Sequence, residues 1–251
     1  MITTFELEAP YRFLLSAAAE FYAGFTPMGG AAQAGGGRLK LGLLLDRTFT
    51  PACVTLTQTG TRLQALVEGS DDVARVRAQL ARMLGLEADG QAWARVGERD
   101  EVLGALQRQT PGFFTAGFPS PYEAGVQGVL SHRSSIAQGA ALKRRLAQAH
   151  GTVLGGLAIL PTPVQLLELR EFPGLAAPKL NVLHGLARAA LDGTLDADRL
   201  RAMPVEQALD SLQALHGIGP WTAGHMLFRG ASLQDELPLT EPRVQRAFAV
   251  A

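Results

Sequence analysis

The residues whose types and spacing most plainly suggest chemistry lie at 215–223, Leu-His-Gly-Ile-Gly-Pro-Trp-Thr-Ala. Two glycines bracket one aliphatic residue, so the backbone at Gly217 and Gly219 can take positive φ and turn tightly from one helix into the next. With no Cβ atoms there, a phosphate can approach the N–H groups closely. The helix that follows adds the unpaired N–H groups of its first turn, that of Thr222 among them. Ile218 can plug the turn into a core. Such a device holds a backbone phosphate without reading sequence. The same Gly-X-Gly spacing also serves a plain αα-hairpin in which glycine stops a helix.

Other constellations are weaker. The five histidines are scattered, with no i, i+4 pair beside an acid, so no transition-metal site is expected. One cysteine, Cys53, excludes a disulfide framework and any all-cysteine zinc or iron–sulfur site. Lys143, Arg144 and Arg145 fit a solvated helix face or a phosphate contact. Gly35, Gly36 and Gly37 precede a strand pattern, which makes them a linker and not a nucleotide-binding loop.

The elements that must position these groups follow from pattern. The chain has 251 residues, 47% hydrophobic and 18% charged, enough for one or two packed domains and unlike a disordered chain. Its 23 basic and 23 acidic side chains cancel, an unusual balance for a nucleic-acid binder. Charge is uneven, however: within 121–190, Arg133, Lys143, Arg144, Arg145, Arg170, Lys179 and Arg188 face only Glu123, Glu168 and Glu171. Local sign matters more than the total for steering a polyanion. The N-terminus has no basic cluster followed by an apolar run, and no stretch approaches a membrane span, so a cytoplasmic protein is expected.

Residues 28–37 form a Gly/Ala-rich loop. Residues 38–43 and 53–58 alternate with period two, as half-buried strands do, and Val73, Val76, Leu80, Met83 and Leu84 share one helix face. Residues 1–115 are expected to form a small α+β domain, with Pro111, Gly112 and Pro119 marking the linker. Beyond it, helices are predicted over 123–149, 163–170, 179–192, 205–215 and 221–228. Pro163 and Pro204 stand at helix starts, and Gly151, Gly174 and Gly193 where C-terminal caps belong. Residues 116–251 are thus expected to be all-α.

With these elements in place, the chain resembles the helix-hairpin-helix DNA glycosylases, specifically the DNA-3-methyladenine glycosylase II family. The likeness extends beyond the hairpin to the helix and Ser-containing turn at 123–135, to the helices at 169–183 and 186–195, and to Leu-Phe-Arg-Gly at 227–230. It includes Asp-Glu-Leu-Pro-Leu-Thr-Glu at 235–241 and Ala-Pro-Tyr at 9–11. The resemblance implies an α+β protein whose second domain is a mainly helical glycosylase domain. It implies flipping of a damaged base from double-stranded DNA and hydrolysis of its N-glycosidic bond. It places Glu241 where the family has a catalytic aspartate, one methylene longer, and Trp221 and His225 at the base pocket, His225 replacing a tyrosine. It places Arg133, helped by His132, in the gap left by the flipped base, and Gly217, Gly219 and Thr222 on a DNA phosphate.

Strand-nicking relatives carry a Schiff-base lysine where this chain has Trp221, so the resemblance implies a monofunctional enzyme. It requires no cofactor and allows a structural Na+ or K+ on the carbonyls of Gln213, Leu215 and Ile218, in a protein expected to be a monomer. Residue by residue, plainer roles stay open. Glu241 suits a first-turn helix acid, Trp221 a core position, and Arg133 a surface phosphate contact. The family continues some forty residues past its catalytic acid, whereas this sequence stops at Ala251, so the family's last helices are expected to be lacking. A DNA-binding protein with a degenerate site, or an α-helical interaction scaffold, is the alternative.

Overall fold

The computed structural model describes residues 1–233, 236, 245 and 246. Polar–apolar alternation builds its first sheet. In β5 (Arg62–Glu68), Leu63, Ala65 and Val67 are buried while Arg62, Gln64 and Leu66 face outward. The strand lies between β1 (Ile2–Glu8) and β4 (Pro51–Thr59), and β3 (Arg38–Leu44) and β2 (Ala32–Gly35) complete an antiparallel sheet of order β1-β5-β4-β3-β2. Its buried face packs on α1 (Leu15–Gly24) and α2 (Val73–Leu84) through Leu15, Ala18, Tyr22, Val76, Leu80 and Met83. Asp72 starts α2 by accepting the Arg75 N–H at 3.0 Å, and Gly85 ends it at φ 68°. Asp89 and Asp100 cap the helical pair α3 (Gly90–Arg99) and α4 (Glu101–Gln109).

The second half surrounds one helix. In α5 (Pro121–Leu130), begun by a Ser120 cap and a proline in the first turn, every residue is buried. Around it pack α6 (Ile136–His150), α7 (Pro163–Glu168), α8 (Ala177–Leu191), α9 (Ala197–Ala202), α10 (Val205–Gln213) and α11 (Pro220–Gly224). The helical run continues from α11 through a π turn, His225–Gly230. Gly125 and Gly128 let the last helices approach: a Cβ on Gly128 would stand 2.9 Å from Thr222 Cγ2.

The α+β class and the strands near 38–43 and 53–58 appear as expected. Four expectations need correcting. The stretch 28–37 is not all loop: β2 pairs with β3, and Gly36 and Gly37, at φ 58° and 72°, form the two-residue turn between them instead of a linker. The helix expected over 123–149 breaks at 131–135, because the capping box of Ser135 and Gln138 starts α6 afresh. Residues 116–251 are not all-α: β6 (Thr152–Leu154) and β7 (Leu157–Ile159) form a hairpin against β3, where Gly42 makes room for Ile159. Gly174 does not cap a helix, since α7 ends at Glu168 with Leu169 as its cap.

Polar side chains tie the two halves together. The buried Arg82 guanidinium donates to Asp46 Oδ2 at 2.6 Å, to the Pro119 carbonyl at 2.8 Å and to the Gly230 carbonyl at 2.6 Å. One turn earlier, Gln79 donates to the Leu44 and Pro119 carbonyls and accepts the Asp46 N–H. Tyr22 donates to the Gly117 carbonyl at 2.7 Å. Lys143 also belongs to this seam and not to a solvated face: it is buried and donates to the Pro27 carbonyl at 3.1 Å. Arg144 and Arg145 are exposed, as on a solvated face, with Arg144 lying along Gly30 and Arg145 donating to the Pro173 carbonyl.

Removing Arg82 strands the Asp46 carboxylate, which burial already pushes toward protonation. The Arg82→Ala variant is expected to lose about 3–5 kcal/mol, read by denaturant unfolding. A loss below about 1 kcal/mol would show that these contacts do not hold the halves together.

Candidate nucleic-acid interface

The hairpin forms as the glycine spacing demands at one position and not at the other. α10 ends at Gln213, the Leu215 N–H donates to the Leu212 carbonyl, and Ile218 N–H returns to Leu215 at 3.0 Å. Gly217 has φ 80°, and a side chain there would collide with Val182. Gly219, by contrast, is extended at φ −88° and faces open space, so its lack of a side chain is not required by conformation. It leaves clear the approach to the first N–H groups of α11, at Trp221 and Thr222, which have no helical acceptor. Ile218 is buried in the helical core.

A second turn abuts the first. Residues 131–135 link α5 to α6, and Arg133 stands at its apex, exposed, with φ 54°. For an arginine that conformation costs roughly 1–2 kcal/mol, so the surroundings must enforce it. They do so at several points. Lys179 Nζ and Ser134 Oγ both donate to the Leu130 carbonyl at 3.1 Å, and Gln127 Nε2 donates to Ser131 Oγ at 2.9 Å. His132 Nε2 meets Thr222 Oγ1 at 3.0 Å, joining this turn to the hairpin. Burial, then Lys179 and Arg133, lower the His132 pKa and keep the ring neutral. His132, Arg133, Gly217, Gly219 and Thr222 therefore share one region, though Thr222 is itself buried and its hydroxyl is taken up by His132.

Beside these turns stand the two expected pocket residues. Trp221 is not a core residue: it is 44% exposed, and its ring stacks on His225 with centroids 5.1 Å apart and planes 8° apart. Phe118 meets the His225 edge at 4.9 Å. Burial first, then Arg229 and Lys143, push the His225 pKa down to about 4, so this ring is neutral too. Its Nε2 is sealed from solvent and has no hydrogen-bond partner among the described residues. Sequence reasoning missed Arg229, although Trp221, His225 and Arg229 recur at every fourth position.

Glu241 lies outside the described residues, as do Asp235 and Pro242. For the expected monovalent cation, carbonyl oxygens of Gln213, Leu215 and Ile218 are the right hard donors, and that of Leu215 already accepts the Ile218 N–H. No cluster of three His, Cys, Asp or Glu occurs among the described residues, and none of their helices is long and apolar enough to cross a membrane. A cavity of about 1280 Å³ opens elsewhere, beside α3 and α4, lined by Trp93, Phe113, Phe114, Arg201 and Leu233; neither Trp221 nor His225 borders it.

No protein-family profile matches the chain. It is 32% identical over 171 residues to DNA-3-methyladenine glycosylase 2 of Escherichia coli, covering 64% of this chain and 57% of that protein. It is 25% identical over 168 residues to a DNA-3-methyladenine glycosylase of Bacillus subtilis, covering 62% and 54%. The chain thus spans little over half the length of these relatives. Among solved structures, a 3-methyladenine DNA glycosylase from Archaeoglobus fulgidus superposes with a TM-score of 0.76 at 22% identity, covering 98% of this chain and 85% of that one. An 8-oxoguanine glycosylase/lyase from Clostridium acetobutylicum gives 0.68 at 15% identity, covering 100% and 88%. Both carry the same fold.

Two predictions separate conformation from binding. Gly217→Ala is expected to lower the unfolding temperature measurably, through its positive φ and Val182, whereas Gly219→Ala leaves it unchanged and, if the hairpin holds a phosphate, weakens binding of a polyanion instead. For His225, the unfolded ring titrates near 6.5 and the folded ring near 4, so its contribution is complete above pH 6.5 and is lost as pH falls toward 4. Denaturant unfolding at pH 7.5 and pH 4 should therefore differ by about 3 kcal/mol more in wild type than in His225→Phe.

Proposed function

Because the chain belongs to the helix-hairpin-helix DNA glycosylase family, we propose that it excises alkylated purines of the 3-methyladenine and 7-methylguanine type from duplex DNA. The observation that carries this reading is the 3.0 Å contact between His132 and Thr222, which locks the phosphate-holding hairpin to the turn bearing Arg133. Two grips on one duplex, fixed relative to each other, suit an enzyme that opens the helix between them.

In this reading the N–H groups around Gly217, Gly219 and Thr222 hold a backbone phosphate, and the strained turn delivers Arg133, supported by His132, into the space the target base vacates. Arginine can also hydrogen-bond the orphaned partner base. The exposed face of Trp221, backed by His225, takes the flipped base, and its π cloud attracts the positive charge of an alkylpurine. Glu241 orients a water and steadies the oxocarbenium-like sugar while the C1′–N bond breaks. A cationic base leaves neutral, so no strong general acid is needed.

Trp221 cannot form a Schiff base, so the reaction stops at the abasic site without strand cleavage. A sodium or potassium ion on the carbonyls of Gln213, Leu215 and Ile218 would stiffen the hairpin and strengthen its hold on phosphate. The protein acts as a monomer.

Free-base release from methylated duplex DNA is the test. Wild type should release 3-methyladenine or 7-methylguanine without nicking the strand, and Glu241→Gln should lower release at least 100-fold. DNA binding without any release would reduce the protein to a lesion sensor, and undiminished release by the variant would move the carboxylate's role elsewhere. Binding should weaken with salt at a slope near −0.9 per neutralised phosphate.

A further inference from the structure

One helix stands behind both turns of the candidate interface. In α8, Val182 packs where Gly217 turns, and Lys179, three residues earlier, reaches the turn that bears Arg133. Lys179 lies in the first turn of α8, the positive end of a helix, where a cation is out of place. Its half-buried side chain leaves that end and donates from Nζ to the Leu130 carbonyl at 3.1 Å. Leu130 is the last residue of α5, at the negative end of that helix, where terminal carbonyls lack helical donors. Burial lowers the Lys179 pKa. A lysine held against its own helix dipole and against desolvation has its purpose outside α8.

The contact bears on Arg133 from two sides. The Leu130 carbonyl lies at the root of the turn and also accepts the Ser134 hydroxyl at 3.1 Å, so one oxygen joins α8 to the residue just past Arg133. Lys179 also acts on His132, the neighbour of Arg133, and together with burial keeps neutral the ring that meets Thr222 at 3.0 Å. Gln127 and Ser134 belong to α5 and to the turn itself, so their bonds would travel with the turn if it were displaced. Lys179 and Thr222 come from other elements, and ties of that kind resist displacement of the turn as a whole.

We infer that Lys179 is a positioning residue for strand opening: it holds the 131–135 turn in place while Arg133 separates the target base from its partner. This rests on the glycosylase reading above, with Arg133 as the group that enters the duplex. A wedge works only as well as its backing resists. Unpairing and unstacking a base pushes back on the residue that does it. A turn free to retreat by about 1 Å would slow a step that depends on its placement roughly 100-fold. In this scheme Lys179 touches neither the departing base nor its sugar. Its contribution therefore appears where a pair must be opened and vanishes where the target has no partner base.

The test measures release of 7-methylguanine under single-turnover conditions at saturating enzyme. Two duplexes are compared, differing only in whether the lesion is paired with cytosine or lies unpaired in a one-nucleotide bulge. Lys179→Met keeps the length of the side chain and removes its donors. It should lower release from the paired duplex at least tenfold more than release from the bulge, with DNA affinity unchanged. Lys179→Arg, which keeps a charged donor, should restore most of that ratio. Lys179→Gln, whose shorter side chain falls short of Leu130, gives the same reading if the methionine variant does not fold. An equal fall for both duplexes, or no fall for either, would overturn the inference and leave Lys179 a packing residue. Arg133→Ala should reproduce the paired-duplex defect and leave Lys179→Met without further effect. An Arg133→Ala protein with the wild-type ratio would overturn the inference without any Lys179 variant having to fold. Release from neither duplex by wild type would remove the glycosylase reading, and this inference with it.

Discussion

One buried guanidinium holds three separate pieces of chain in register. Arg82 belongs to α2, yet its donors fix Asp46 after β3, Pro119 at the threshold of α5, and Gly230 at the end of the π turn. Desolvating a charge is costly, and only full satisfaction of its donors makes it tolerable. That requirement makes the geometry specific, because moving any one of the three segments unpairs the others. The sheet domain is thereby made a part of the helical half's architecture. The chain that leaves Gly230 toward residues 235–241 starts from a point the sheet domain has set.

The candidate interface extends the same logic outward. Arg133 could not hold a left-handed conformation unaided, and the cost is met by four bonds that anchor the flanking residues. His132 and His225 are both kept neutral, the first so that it can bridge to Thr222 and the second inside an aromatic sandwich. With both rings neutral, positive charge beside them among the described residues sits on Arg133 and Lys179 at one histidine and on Arg229 and Lys143 at the other, groups that differ in exposure and therefore in what they can meet. Net neutrality of the chain thus conceals a local arrangement that favours a polyanion at one surface.

What could be read from sequence follows from how local each signal was. Gly217 was legible because positive φ is a property of one residue and its neighbours, and the Ser135 cap was present in the sequence, though helical periodicity across 123–149 hid the break. Gly36 and Gly37 look identical as linker or as hairpin turn until β2 and β3 are seen to pair. Lys143 misleads more deeply. Its neighbours Arg144 and Arg145 suggest a solvated face, and only the arrival of Pro27, Phe118 and Glu123 from distant segments makes its burial possible. Arg229 went unnoticed for a related reason: its place over the rings of Phe21 and Phe25 joins segments far apart in the chain, which no sequence pattern encodes.

The notch at Gly42 bears on how the chain comes off the ribosome. β3 receives Ile159 there, and Lys40 donates to the Gly155 carbonyl across a separation of 115 residues. Domains are made from the N-terminus onward, so the sheet can assemble while that face is still bare. For the time taken to translate those residues, at roughly 5–20 residues per second, the nascent chain carries an exposed apolar surface for some seconds. The β6–β7 hairpin is then the cover that arrives late, and a chaperone has its clearest opportunity in the interval before it docks.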